Sequence, residues 1–202
     1  MSLSTAQTAV ELGVSARQVR RAAASGRIVA ARVGAAHSFS QRQVQALERT
    51  AHRGRDWSVA TQRAALDLLA MGTTAELTST DRSRLKQRIR ASGVGSLVGQ
   101  VLRDRVSLRS AATDETKQNL RASIASELGL SAGGGLAVLV AEEATRAARR
   151  ARLGLNDSGD IAVVEGGEAH RRVLEAFALY MYGDTRESDA AATWIASAQR
   201  SV

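Results

Sequence analysis

Along the first fifty residues the spacing of apolar positions changes three times. Residues 5–12 place Ala6, Ala9, Val10 and Leu12 at helical intervals. Residues 16–24 do the same with Ala16, Val19 and Ala23, leaving Arg17, Gln18, Arg20 and Arg21 on the opposite side. Gly13 and Val14 separate these two segments, and Ser25-Gly26 ends the second with a residue suited to a left-handed cap. An extended stretch from Arg27 to Val33 and a short return from His37 to Ser40, joined through Gly34-Ala35-Ala36, predict a hairpin. A third helix follows. Ser4 with Gln7, Ser15 with Gln18, and Ser40 with Gln43 each have capping-box spacing, with the glutamine three residues on reaching back to the cap's amide.

Residues 50–57, TAHRGRDW, are polar and basic, and predict a linker over 51–56 that ends on an apolar anchor, Trp57. Three helices are expected next. One covers 58–71, with Ala60, Ala64, Leu68 and Met71 inward and Gly72 as its stop. A second is capped by Thr80 and runs to 91 with Leu85 and Ile89 inward, and a third covers 95–105. From Val106 the pattern is mixed: a strand in VSLRSA, a helix over 114–127 opened by Asp114, and glycine-rich LSAGGG before a strand-like run. A helix near 142–152, a strand over 160–165, a helix over 167–181 and a closing helix on Ala192 and Ile195 complete it. The expected class is α+β and predominantly helical. Residues 1–50 form a small module and 57–202 a larger domain, divisible into a helical part (57–105) and a mixed part (106–202).

Charge changes this picture. Residues 1–55 carry nine arginines against Glu11 and Glu48, whereas the remaining chain carries 19 basic and 18 acidic side chains, so nearly all of the net +8 lies in the first quarter. A bias confined to one module points to a polyanion bound there. Two short helices about a glycine, a hairpin and a third helix have the order of a winged helix-turn-helix. In that arrangement the second helix enters the major groove, where arginine pairs bidentately with guanine and glutamine with adenine. Arg17, Gln18, Arg20 and Arg21 are the expected reading residues.

Other chemistries find little support. Cysteine is absent, and His37, His52 and His170 lack ligand spacing, so no metal is expected. The GGG segment lacks both the Gly-x-Gly-x-x-Gly and the Gly-Lys-Ser/Thr fingerprints of phosphate loops. Asp157 with Asp160, and Asp184 with Asp189, sit in turns, where aspartate serves the backbone. No enzyme and no cofactor are expected. No long apolar run or targeting segment is evident, so the expected location is cytoplasmic. Arg82, Lys86 and Arg90 recur at i, i+4 and i+8 and make one basic stripe, either a contact for a partner or more DNA, or an ordinary solvated face.

The run LGVS, RQVRR, SGRIVAARVG, H-x-F, SQRQVQALE resembles the excisionase/MerR-like winged helix-turn-helix domains over residues 3–49. The resemblance implies a reading role for the second helix and assigns Arg27, Arg32 and His37 to the wing or the DNA backbone. His37 reads equally well as a surface histidine. The tip Ala35-Ala36 lacks the basic pair common at that place in the family. Further on, WSVATQRAALDLLAMG, STDRSRLKQRIR and GDTRESDAAATWI are similar to the body of AbiEi-type antitoxins. That likeness implies a repressor of its own promoter that counteracts a nucleotidyltransferase toxin. A palindromic site would take a homodimer, assembled at the least on the DNA.

Two other functions compete with this one. A MerR-like ligand-responsive regulator would need a dimerisation helix with heptads after residue 50 and more aromatic lining than six aromatic residues supply. An excisionase-type architectural protein needs little beyond the first sixty residues. No membrane partner is expected.

Overall fold

The computed structural model describes residues 2–25, 28–34, 36–50, 55–103, 105–120, 122–130 and 135–202. The chain is α+β and mostly helical. Its first residues form a short strand, β1 (Ser2–Ser4), ahead of α1 (Thr5–Glu11) and α2 (Ala16–Ala24). The hairpin is β2 (Ala31–Val33) and β3 (Ala36–Ser40), and α3 (Gln41–Arg49) follows. β3 lies between β1 and β2, antiparallel to both, with Leu3 opposite Phe39. Fully buried Phe39 and Val44, with Ala9, Val19 and Ile28, make the small core these elements share.

Two expectations about this region change. In α1 the buried positions are Thr8 and Ala9, while Ala6 is exposed and Val10 is 82% exposed. A seven-residue helix shows the core only one narrow stripe, and Phe39 and Val44 set its direction. The third capping box is absent as well: the Ser40 side chain makes no cap bond. Ser40 is also the last residue of β3, paired with Ser2, and its place in the strand turns the hydroxyl inward. The boxes at Ser4 and Ser15 form with both reciprocal bonds.

Helices α4 (Val59–Met71), α5 (Ser79–Ala91) and α6 (Val94–Val101) lie in the predicted segments, with α6 stopping at Val101, short of the expected 105. Ala60 and Met71 face solvent instead of the core, and α5 is capped by Thr78, whose Oγ1 accepts from the Asp81 amide, so Thr80 lies inside the helix. Of the predicted linker, 51–54 lie outside the described residues. Its end is packed: the Gln100 side chain accepts from Trp57 N and donates to the Arg55 carbonyl, and Asp56 pairs with Arg103. Buried Trp57 also carries the Arg88 guanidinium 4.8 Å from its ring centre.

In the mixed part the expected helix over 114–127 shortens to α7 (Asp114–Asn119), capped by Thr113, and a 3-10 turn (Ser123–Ala125) replaces its second half. That turn is held by Glu175, whose Oε2 accepts from Ser123 Oγ and Ile124 N at 2.8 and 2.9 Å. Strands β4 (Val106–Ser110), β5 (Ala137–Ala141), β6 (Gly154–Leu155) and β7 (Ile161–Glu165) form a sheet in the order β5-β7-β4-β6. β5 and β7 are parallel, joined by the crossover helix α8 (Ala144–Arg150). Alternation then divides the sheet's side chains. Ala137, Ile161 and Val163 pack with Ala148 under α8, while Val138, Val140, Ala162 and Val164 face α9 (Arg171–Tyr182). The closing helix α10 (Thr185–Ser201) lies along α9. Asp184 caps it in a full capping box with Glu187, the backbone role expected of that aspartate.

Two tyrosines close α9. Burial raises the Tyr180 phenol, with the Arg49 charge acting in the opposite direction, and burial pushes Tyr182 up to about 12. An unfolded chain loses these protons near pH ~10. The folded state therefore holds protons that the unfolded state has released, and its stability, complete below pH 10, declines as pH rises toward 12. In an ultraviolet-difference titration the native protein should form tyrosinate later than the urea-unfolded chain. Coincident curves would contradict this.

Candidate nucleic-acid interface

The turn between α1 and α2 is short because Gly13 takes φ +62°, with Val14 N donating to Ala9 O and Gly13 N to Val10 O. Val19 is the buried residue of α2 and anchors it, with Ala16, Ala22 and Ala23 partly buried beside it. Arg17, Arg20 and Arg21 are all exposed. Among the described residues none of the three has a hydrogen-bond or ion-pair partner. α2 packs chiefly on α1, α1 on α3, and α3 on α9 of the second domain, so α2 is the outermost layer of this stack. Three unpaired guanidiniums on an outer helix form a surface suited to an anion.

Gln18 is exposed too, but its carbonyl oxygen is occupied. It accepts from Ser15 N at 2.8 Å and from Ser15 Oγ at 2.9 Å. Only its amide NH2 is free to meet a base, so a bidentate contact with adenine would require opening the capping box.

Of the wing residues, Arg27 lies outside the described residues, and Arg32 is placed only by its backbone, opposite His37. His37 is half-buried, with its ring 6.2 Å from that of Phe39 and its Nδ1 buried without a partner among the described residues. A proton on Nδ1 would be an unsatisfied donor, so the tautomer of least cost carries it on Nε2.

Two of the nine N-terminal arginines point elsewhere. Arg42 donates to the Gly159 carbonyl at 2.9 Å. Arg49 Nη1 lies 3.2, 3.3 and 2.8 Å from the carbonyls of Tyr180, Met181 and Gly183, the open end of α9, and the Tyr180 hydroxyl donates back to Arg49 O at 3.1 Å. These residues bolt α3 to the elements of residues 57–202, and their charge is spent on carbonyls of the chain itself. Sequence reasoning missed both, because their partners lie more than a hundred residues away.

The stripe on α5 is also not three free cations. Lys86 Nζ donates to Gly72 O and Val202 O at 3.2 and 3.0 Å, and half-buried Arg82 donates to Leu77 O at 3.4 Å. Both long side chains fold back to satisfy loop and helix-end carbonyls, leaving Arg90 exposed. The glycine-rich segment is occupied where it is described: Glu187 Oε1 accepts from Leu136 N at 2.9 Å, and its other oxygen accepts from Asp184 N.

His52 lies outside the described residues. His170 donates to or accepts from Asp67 Oδ1 through Nε2 at 2.7 Å, and Thr74 Oγ1 donates to Asp67 Oδ2 at 2.9 Å. This trio, with Asp67 and Thr74 buried and His170 half-buried, ties α4 to the 3-10 turn (Glu168–His170) that leads into α9. No helix among the described residues is long and apolar enough to cross a membrane. No protein family, curated protein or solved structure matches the chain.

Proposed function

We propose that the chain is a sequence-specific DNA-binding repressor built on a winged helix-turn-helix, with α2 as the reading helix and the β2–β3 hairpin as the wing. The observation that carries this reading is the outer face of α2, where Arg17, Arg20 and Arg21 stand exposed without hydrogen-bond or ion-pair partners among the described residues. The second domain holds α3, so the reading helix is presented on a firm base. From the likeness to AbiEi-type antitoxins we further propose that the DNA is the protein's own promoter and that the second domain counteracts a nucleotidyltransferase toxin encoded beside it.

Fluorescence-anisotropy titration of the full chain tests the first part, using a fragment of its upstream region and a scrambled duplex. Wild type is expected to prefer the upstream fragment. Arg17→Ala should lose about 1–3 kcal/mol on that fragment and much less on the scrambled duplex. Equal affinity of wild type for the two duplexes would overturn sequence-specific reading.

A further inference from the structure

Three turns among the described residues close with the same pair of backbone bonds. After α1, Val14 N donates to Ala9 O and Gly13 N to Val10 O. At the 3-10 turn's end Leu130 N donates to Ala125 O and Gly129 N to Ser126 O, and after α8 Leu153 N donates to Ala148 O and Arg152 N to Arg149 O. The residue at the centre of this motif takes a left-handed conformation and is ordinarily glycine. Gly13 and Gly129 fill the first two, at φ +62° and +66°, but the third is Arg152 at φ +55°. Every L side chain is strained there.

Arg152 gains nothing inside the protein in return. It is exposed, as are Arg149 and Arg150, and among the described residues none of the three side chains has a hydrogen-bond or ion-pair partner. A helix C-terminus favours cations in its last turn, which Arg149 and Arg150 already supply. A third guanidinium, on a strained residue, calls for an anion outside the chain.

Topology says where that anion lies. α8 returns from the end of β5 to the beginning of the parallel pair, where Leu153 packs with Ala137 and Ile161. Gly159, two residues before Ile161, accepts from Arg42, the second residue of α3, directly after the hairpin strand β3. The α8 arginines and the hairpin base thus sit at the same end of the sheet. Lys117 nearby is matched by Asp160.

We infer that Arg149, Arg150 and Arg152 form a second nucleic-acid contact, gripping the phosphate backbone beside the hairpin. This rests on the DNA-binding reading, and it extends the footprint onto a domain whose overall charge is nearly balanced. Guanidiniums clustered next to a basic module match a phosphate strand, and each phosphate neutralised releases counterions and steepens the salt dependence.

The test compares full-length wild type, the variant Arg149→Gln/Arg150→Gln/Arg152→Gly, and a charge-matched control, Arg63→Gln/Arg84→Gln/Arg200→Gln. Binding to a labelled mixed-sequence duplex is measured over a range of salt. The α8 variant is expected to bind at least about ten-fold more weakly at low salt, with a slope of log K on log salt shallower by about two to three units, while the control stays near wild type. Arg152→Gly alone should raise the melting temperature while weakening binding, which a purely structural residue would not do. If the α8 variant binds like wild type, or falls no further than the control, the inference fails while wild-type binding leaves the DNA reading standing. Absence of salt-dependent binding by wild type would overturn both.

Discussion

Alanine at Arg17, Arg20 and Arg21 together is expected to lower affinity for the upstream fragment more than a hundred-fold and leave folding stability within about 0.5 kcal/mol of wild type. The stability side follows from exposure. These side chains have no hydrogen-bond or ion-pair partner among the described residues, and alanine is the better helix former. The binding side follows from addition over the three positions. A bidentate arginine–base pair is worth about 1–3 kcal/mol, and one arginine on a phosphate adds about 0.9 to the salt slope. Removing all three arginines therefore costs more than about 3 kcal/mol of binding free energy. Urea unfolding and anisotropy titrations on the same preparations check both halves. Unchanged affinity in the triple variant would remove α2 from the interface.

Arg49→Ala is expected to be among the most damaging single changes, at about 2–4 kcal/mol of unfolding free energy. One guanidinium nitrogen serves three carbonyls at the end of α9, and no other donor of the described residues is placed to serve all three. Lysine at 49 should recover only part of the loss, since its ammonium is a point charge without the planar fork. The same joint is tested from its other side by Gly95→Ala. A Cβ there would stand 2.0 Å from the Arg49 carbonyl oxygen and 2.9 Å from the Tyr180 hydroxyl, and the nearer obstacle is backbone. α3 and α6 would have to separate, at a cost of similar size. Urea midpoints near wild type for Arg49→Ala and Gly95→Ala would show that the joint contributes little.

Whatever depends on near neighbours along the chain was legible in its sequence. The boxes at Ser4 and Ser15 form because both partners lie within one helical turn. Ser40 has the same spacing and fails, since strand pairing with Ser2 decides its direction. Helices α4, α5 and α6 lie near their predicted places because periodicity and the Gly72 stop are local signals, although the choice between Thr78 and Thr80 was not. β1 is three residues long, too short to show an alternating pattern. The exposed arginines of α2 follow from the burial of Val19, which the helical period gives. Arg49, Lys86 and Glu187 are different. Each is an ordinary charged residue in sequence and acquires its task from backbone groups brought in from far along the chain. Arg152 runs against the rule that would place glycine there.

The joint around Arg49 has a consequence for dividing the molecule. The linker expected from the sequence covers 51–56, but α3 lies on the near side of it while its ends are held from the far side. Residues 57–202 produced alone would keep Ser188 Oγ on the Tyr180 carbonyl but lose the Arg49 donor from all three carbonyls at the end of α9, and residues 1–50 alone would carry two arginines with nothing to hold. The two pieces made together in one cell should instead find each other and elute as a single species. Shared ownership of one helix makes the halves a split pair.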